Sequence, residues 1–272
     1  MGTRIELHLF GTTDDDAMME ARRAIEAIDD ALTIHRPSAT TALNECLMAG
    51  RPAAIDDPVL FDALIEIEAA YTLTQGLFDP AADARIGGAG WRAISFDRDN
   101  ARIQALQPVA LDFGGFGKGF ALDRACDALR SAGVLSALLS AGESSIAVVG
   151  EHPLGGGWPF AIPHPLQPEQ ILVELELTDE ALSISSTVGA GAHAPDRAAM
   201  IRPTDGVIVT GRRSAVAVDR SGARAEVMST ALLVADDDQA GRFLDEQQSR
   251  CFLFDFDREA AMSVSPARTV AQ

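Results

Sequence analysis

The order in which strand-like and helix-like runs follow one another constrains this chain most. RIELHLFG sets Ile5, Leu7 and Leu9 at alternate positions before Gly11, the two-residue period of a half-buried strand. Helical spacing then takes over at Ile25, Ile28 and Leu32, with Asp14 to Asp16 placed to cap the segment, which predicts a helix ending at about residue 32. A second helix has Asp57 at its N-cap, Pro58 in its first turn and Leu60, Leu64 and Ile67 on one stripe, and ends near Gly76. HRPSATTALNECLMAGRP, between the two, has little periodicity and reads as a loop. A third helix begins just after a glycine cluster, with Ala121, Leu122, Ala125 and Leu129 inward and Gly133 at its end. Strands over 135–140 and 145–149 flank the turn AGES, and ILVELEL, ALSIS, SAVAV from Ser214 and CFLFDF are further strand candidates. Helices around 225–235 and 238–247 interrupt this run, while 83–108 and 187–212, rich in Gly, Ala and Arg, read as surface excursions. Strands and helices thus mix without strict alternation, which predicts an α+β fold and not a doubly wound parallel sheet.

The chain has 272 residues, enough to bury a full core as one large domain or two intimately packed lobes. Its net charge of −18 is spread along the sequence and argues against nucleic acid or an anionic membrane as a general partner. Any anionic ligand therefore needs local help to bind. Cys46, Cys126 and Cys251 are widely spaced in apolar runs and read as small buried residues in a reducing compartment, without a disulfide framework. No stretch has the length of a membrane span and no cleavable leader precedes the first strand, so the sequence reads as cytoplasmic, or as exported if a leader has been removed.

Arginine is plentiful, yet Lys118 is the only lysine, and it stands inside GGFGKG. A P-loop fails on Asp112 at its first glycine position and on Gly119 where a magnesium-binding hydroxyl belongs. DFG without an H-R-D loop does not make a kinase, and GFGKG has the wrong spacing for a dinucleotide fingerprint. Two readings remain: a tight turn with Lys118 solvated, or an anion site built from freed backbone groups, a helix N-terminus and an ammonium. Further along, RAEVMSTALLVA puts Glu226 and Thr230 one helical turn apart on one face. Two hard oxygen donors at that spacing suit Mg²⁺ shared with a substrate phosphate. The plainer alternative is a Glu on the polar edge and a Thr bonded back to its own helix.

These pieces together resemble the ApbE-type flavin transferases, along nearly the whole chain and in family order. Met1-Gly2-Thr3 matches the opening M-G-T, and Ser38 to Asn44 echo S-E-L-S-x-L-N. Thr74, Gly76, Phe78, Asp79 and Pro80 match T-x-G-x-F-D-P. DFGGFGKGFALD, from Asp112 to Asp123, matches D-L-G-G-I-A-K-G-Y-A-V-D; AGESS takes the place of the G-G-D/S turn, and AEVMSTA that of A-D-A-L-x-T-A.

The resemblance implies a single domain over 1–272, with mixed, largely antiparallel sheets packed with helices in two associated lobes. It implies transfer of FMN from FAD, as substrate, to a Ser or Thr hydroxyl of a target protein, with release of AMP. A homologue that only binds FAD, or hydrolyses it, is the alternative. Mg²⁺ would be held by the Gly117 carbonyl, Glu226 and Thr230, with Lys118 at the flavin nucleotide. Met1, Asn44, Leu77, Phe78, Asp79, Asp112, Gly142, Glu143 and Ser144 would line the sites for its flavin and adenosine parts. Three motifs depart from the family pattern. Glu226 replaces an aspartate, Glu143 replaces the second glycine of its turn, and AMIRPTDG stands for H-x-x-D-P-x-T-G, with Ala199 at the histidine and Arg202 at the aspartate. Pro203 and Gly206 are retained, and His193 is either a substitute for that histidine or a surface residue.

Overall fold

The computed structural model describes residues 2–12, 15–82, 90–188, 200–246 and 250–257. In chain order the elements begin with β1 (Ile5–Leu9), α1 (Asp15–Leu32), α2 (Ala39–Met48), β2 (Ala53–Ala54) and α3 (Pro58–Leu73). A 3-10 turn at Gly90–Ala93 leads into β3 (Ile94–Asp97), β4 (Arg102–Ala105), α4 (Gly117–Ser131), β5 (Ser136–Ala141) and β6 (Ser145–Gly150). Then come β7 (Trp158–His164), β8 (Gln167–Leu177), β9 (Ala181–Ser186), β10 (Met200–Ile201), β11 (Ile208–Val209) and β12 (Arg213–Asp219). The last elements are α5 (Gly222–Val234), α6 (Asp237–Glu246) and β13 (Arg250–Asp255). This is the α+β fold that the mixed pattern predicts.

The main sheet has the order β1-β5-β6-β9-β12-β13, antiparallel at every step. Alanine is frequent on its helix-facing side, beside Leu139, Val149 and Leu253. Ala137 and Ala141 of β5, Ala147 of β6, Ala181 of β9 and Ala215 and Ala217 of β12 belong to the core shared with α1, α4 and α5. Small side chains let helices approach a sheet closely. Val148, Leu182, Val216, Val218 and Phe254 point the other way and pack under the β7–β8 ribbon, with Trp158, Ile162, Leu175 and Leu177. A leucine buried as fully as Leu139 or Leu177 contributes about 1.5–3 kcal/mol through its apolar surface. A smaller sheet, β2-β4-β3, lies near α2 and α3.

Several expectations need correction. The supposed loop between the first two predicted helices contains α2. The Ser38 and Thr41 side chains each accept a hydrogen bond from the other's backbone N–H, closing a capping box, while the buried Thr40 hydroxyl donates to the Ala31 carbonyl at 2.8 Å. Only Thr40, Leu43 and Leu47 are buried along this helix, too few for a clear period. Within 83–108, β3 and β4 are not an excursion: Ile103 and Ala105 alternate into the core beside Trp91 and Ala93. Strand β7 was not foreseen because it carries Pro159 and Pro163, which are tolerated where a strand pairs on one side only, here with β8. The third helix starts at Gly117, inside the glycine cluster, so Lys118 sits in its first turn.

Burial pushes the Cys126 and Cys251 thiols up to about 12, as suits inert core residues, while Cys46 is half-buried. Among the described residues no helix is long and apolar enough to cross a membrane.

Candidate active site

A cleft of about 570 Å³ opens where α4 and α5 meet the C-terminal end of β9. One wall comes from Leu77 to Pro80, which follow α3, and from Asp112, Gly114, Gly115 and Lys118. The opposite wall is formed by Ser144, Ser183 to Ser186 and the face of α5 bearing Glu226, Thr230, Leu233 and Val234. Met200, Ile201 and Pro203 close the rim.

At its centre Lys118 Nζ lies 2.7 Å from Glu226 Oε1, with the lysine side chain 22% exposed and the glutamate 3%. The ammonium is therefore engaged by a carboxylate and is not left to solvent, nor is Glu226 on a polar edge. The Ser145 hydroxyl, on β6, donates to the same Oε1, while Oε2 is buried and has no hydrogen-bond partner among the described residues. Thr230, one turn on, has its Oγ1 3.4 Å from the Ser185 hydroxyl. Ser229 links Ser185 at 2.8 Å and Ser183 at 3.0 Å, so a layer of hydroxyls runs beneath α5.

The glycines of DFGGFGKGFALD have separate reasons. A Cβ on Gly115 would stand 3.3 Å from the Phe78 ring and 3.4 Å from Thr230 Oγ1, so its absence lets the loop approach both. On Gly119 it would stand 2.1 Å from the Gly222 carbonyl oxygen, so α4 and α5 cross in backbone contact there. Asp123 completes that crossing by accepting from the Ser221 hydroxyl at 2.8 Å and from the Gly222 and Ala223 N–H groups at 2.6 and 3.0 Å, at the N-terminus of α5. Burial raises its carboxyl above the ordinary aspartate value, and those hydrogen bonds pull it partly back.

Asp112 and Asp79 line the cleft, but each is tied to backbone. Asp112 Oδ1 accepts from the Gly114 N–H at 2.9 Å. Asp79 accepts from the Ala81 N–H at 2.8 Å and from the Trp91 N–H at 2.9 Å, and burial raises its carboxyl against those bonds. Asn44 stands off the cleft: its amide pairs with both backbone groups of Leu111 and so fixes the residue before Asp112.

Gly142 and Glu143 are exposed at the tip of the β5–β6 turn, with φ of +60° and +61°, and only Ser144 of that turn lines the cleft. Gly117 is buried at the start of α4. Arg202 ties the β10–β11 hairpin to α5 through the Val234 carbonyl, at 2.9 Å, and pairs with Asp205. Met1, His193 and Ala199 lie outside the described residues.

The cleft thus brings together Leu77, Phe78, Asp79, Asp112, Lys118, Ser144, Glu226 and Thr230, and leaves Asn44, Gly117, Gly142 and Glu143 out of its lining. Sequence reasoning missed Ser145, Ser183, Ser185 and Ser229. For the three on strands the only signal was serine at positions of GESS and ALSIS that the alternation turns inward, where neighbouring strands carry alanine; Ser229 lies on α5 within AEVMSTA.

Fold and cleft define an α+β protein with a six-stranded antiparallel main sheet, helices on one of its faces, and a carboxylate, an ammonium and hydroxyls gathered in one cleft. The chain belongs to the ApbE family, whose model matches residues 81–253. Its fold is similar to that of the flavin transferase ApbE from Vibrio cholerae, with a TM-score of 0.77 at 20% identity over 93% of this chain and 90% of that one. The flavinyl transferase ApbE from Pseudomonas stutzeri, in its apo form, gives 0.77 at 20% identity over 95% and 92%. The ApbE protein from Thermotoga maritima gives 0.77 at 18% identity over 93% and 90%. No curated protein matches the chain by sequence.

Proposed function

We propose that this protein is a flavin transferase that moves FMN from FAD to a Ser or Thr hydroxyl of a target protein and releases AMP, with Mg²⁺ as cofactor. The observation that carries this reading is the meeting of Lys118, Glu226 and Thr230 in one cleft of an ApbE-family chain.

The residues present fit a divalent cation. A buried carboxylate oxygen without a partner is costly, by about 1–3 kcal/mol or more, and Glu226 Oε2 is such an oxygen. Among the described residues no cluster of three His, Cys, Asp or Glu side chains exists, so the cation would rely on Glu226 Oε2, Thr230, the Gly117 carbonyl, waters and the substrate phosphates. When bound, the ion would offset phosphate charge and polarise the phosphoryl group. Lys118 is the one cation among the described lining residues, in the first turn of α4, and it would take the diphosphate. Phe78 and Leu77 offer an apolar wall to an aromatic ring. In the transfer, the acceptor oxygen bonds to the FMN phosphorus, the P–O bond to AMP breaks, and the acceptor proton passes to solvent or to a base.

Incubation with FAD, Mg²⁺ and a Ser/Thr-bearing acceptor protein, followed by chromatography, tests this reading. AMP with flavin-labelled acceptor is expected. AMP with free FMN makes the protein a pyrophosphatase, and unchanged FAD overturns the enzymatic reading.

A further inference from the structure

Ser145 opens β6 immediately after the turn that carries Gly142 and Glu143, and β6 pairs with β9 so that Ser145 stands opposite Ser183, under α5. Its side chain is 2% exposed, and its hydroxyl lies 2.5 Å from Glu226 Oε1. Lys118 Nζ reaches the same oxygen at 2.7 Å. Two donors converge on one oxygen of the carboxylate, and the other, Oε2, is buried without a partner. A carboxylate is symmetric until its surroundings distinguish its oxygens. Here the distinction is complete: Oε1 is saturated and Oε2 is vacant.

The two donors on Oε1 are not equivalent once a ligand enters. An anionic ligand in the cleft competes with Glu226 for the Lys118 ammonium, because Lys118 is the only cation among the described lining residues. A serine hydroxyl buried beneath the helix is not drawn away in the same manner. It remains to hold Oε1 when the ammonium turns to phosphate. We infer that Ser145 is a positioning residue for the metal-binding carboxylate, clamping Glu226 Oε1 so that Oε2 is the oxygen offered to a divalent cation. This rests on the proposed role of Glu226 as a metal ligand. A partner that orients a ligating group commonly changes metal affinity by about 10–100-fold when it is removed.

The test is Mn²⁺ binding to the full chain, read from the free-ion paramagnetic signal or by calorimetry, with and without FAD. Ser145→Ala is expected to weaken Mn²⁺ about tenfold or more, and more with FAD bound than without. Ser145→Thr, which keeps the hydroxyl, is expected to stay within about threefold of wild type. If Ser145→Ala does not fold, Ser145→Cys serves in its place, being of similar size with a weak donor. Glu226→Gln separates the two levels of the argument. Mn²⁺ binding lost in Glu226→Gln but unchanged in Ser145→Ala or Ser145→Cys overturns the role of Ser145 and leaves the metal reading standing. Wild-type protein that binds no Mn²⁺, or Glu226→Gln that binds it as wild type does, overturns the metal reading and this inference with it.

Discussion

Replacing Lys118 with methionine removes the ammonium and keeps most of the apolar stem. If the lysine were solvated, or served only a bound phosphate, the free protein would lose little stability. The structure predicts otherwise, because Glu226 is 3% exposed and its Oε1 would be left with Ser145 alone. Deleting one partner of a buried ion pair costs about 3–5 kcal/mol. Lys118 is 22% exposed, so solvent screens part of the pair and a loss of about 2–3 kcal/mol is the better figure. At about 2–4 °C per kcal/mol for a chain of this size, the melting temperature should fall by about 4–12 °C. The assay is thermal and urea unfolding of the metal-free protein, with Glu226→Gln and the double variant completing the cycle. In the double variant no charge is stranded, and much of the loss should return as a coupling of about 1–2 kcal/mol. Additive single effects, within about 0.5 kcal/mol, would refute the coupling and return Lys118 to the solvent. On the proposed reading FAD binding should weaken separately, by about 1.5–3 kcal/mol, the worth of one charge-assisted hydrogen bond to phosphate.

Gly119→Ala should destabilise the protein by about 1–3 kcal/mol, since its Cβ would meet the Gly222 carbonyl oxygen at 2.1 Å; an unchanged urea midpoint would show that α4 and α5 do not depend on that contact. For Asp123 the sign follows from burial, which raises its folded pKa above the ordinary 3.8: its contribution is fully present below that value and is lost as pH rises through the folded pKa. Asp123→Asn should therefore flatten the decline of stability with pH above 3.8, and urea midpoints that fall equally steeply in both proteins would exclude the assignment.

The parts of the fold legible in sequence are those whose signal is local. Asp57 caps α3 by accepting from the Leu60 N–H at 2.8 Å, Pro58 fits the first turn, and the apolar stripe continues to Ile67, so three independent signals agree. In β12 the alternation of Ala215 and Ala217 with Val216 and Val218 sorts the residues to opposite faces of the sheet. Where the deciding partner is distant, the reading fails. Helix α2 is held by Thr40 on the Ala31 carbonyl and by a capping box that uses Thr41 in place of Glu, and of its apolar residues only Leu43 and Leu47 are buried. The site divides in the same way. Glu226 and Thr230 are one turn apart on any helix, so their pairing was legible. Ser145 gains its meaning only from the register that sets it against Ser183 under α5. Gly119 looked like part of a phosphate loop, and the contact that requires it is with Gly222, on another helix.

Charge balance within the cleft ties these observations to the reaction. Three carboxylates line it, in a chain of net charge −18. Asp112 spends its charge on the Gly114 N–H, and Asp79 on those of Ala81 and Trp91, so backbone dipoles hold both in place. Glu226 is balanced instead by a side chain, Lys118, and on one oxygen only. On the proposed reading, a diphosphate that draws Lys118 to itself strips Glu226 of its counter-charge in a nearly dry site. That step is costly by the same amount that makes Lys118→Met destabilising. The cost disappears if a divalent cation reaches Oε2 as the ammonium leaves Oε1. On that reading anion and cation favour each other's binding through one carboxylate, in a cleft whose described lining has Lys118 as its one cation.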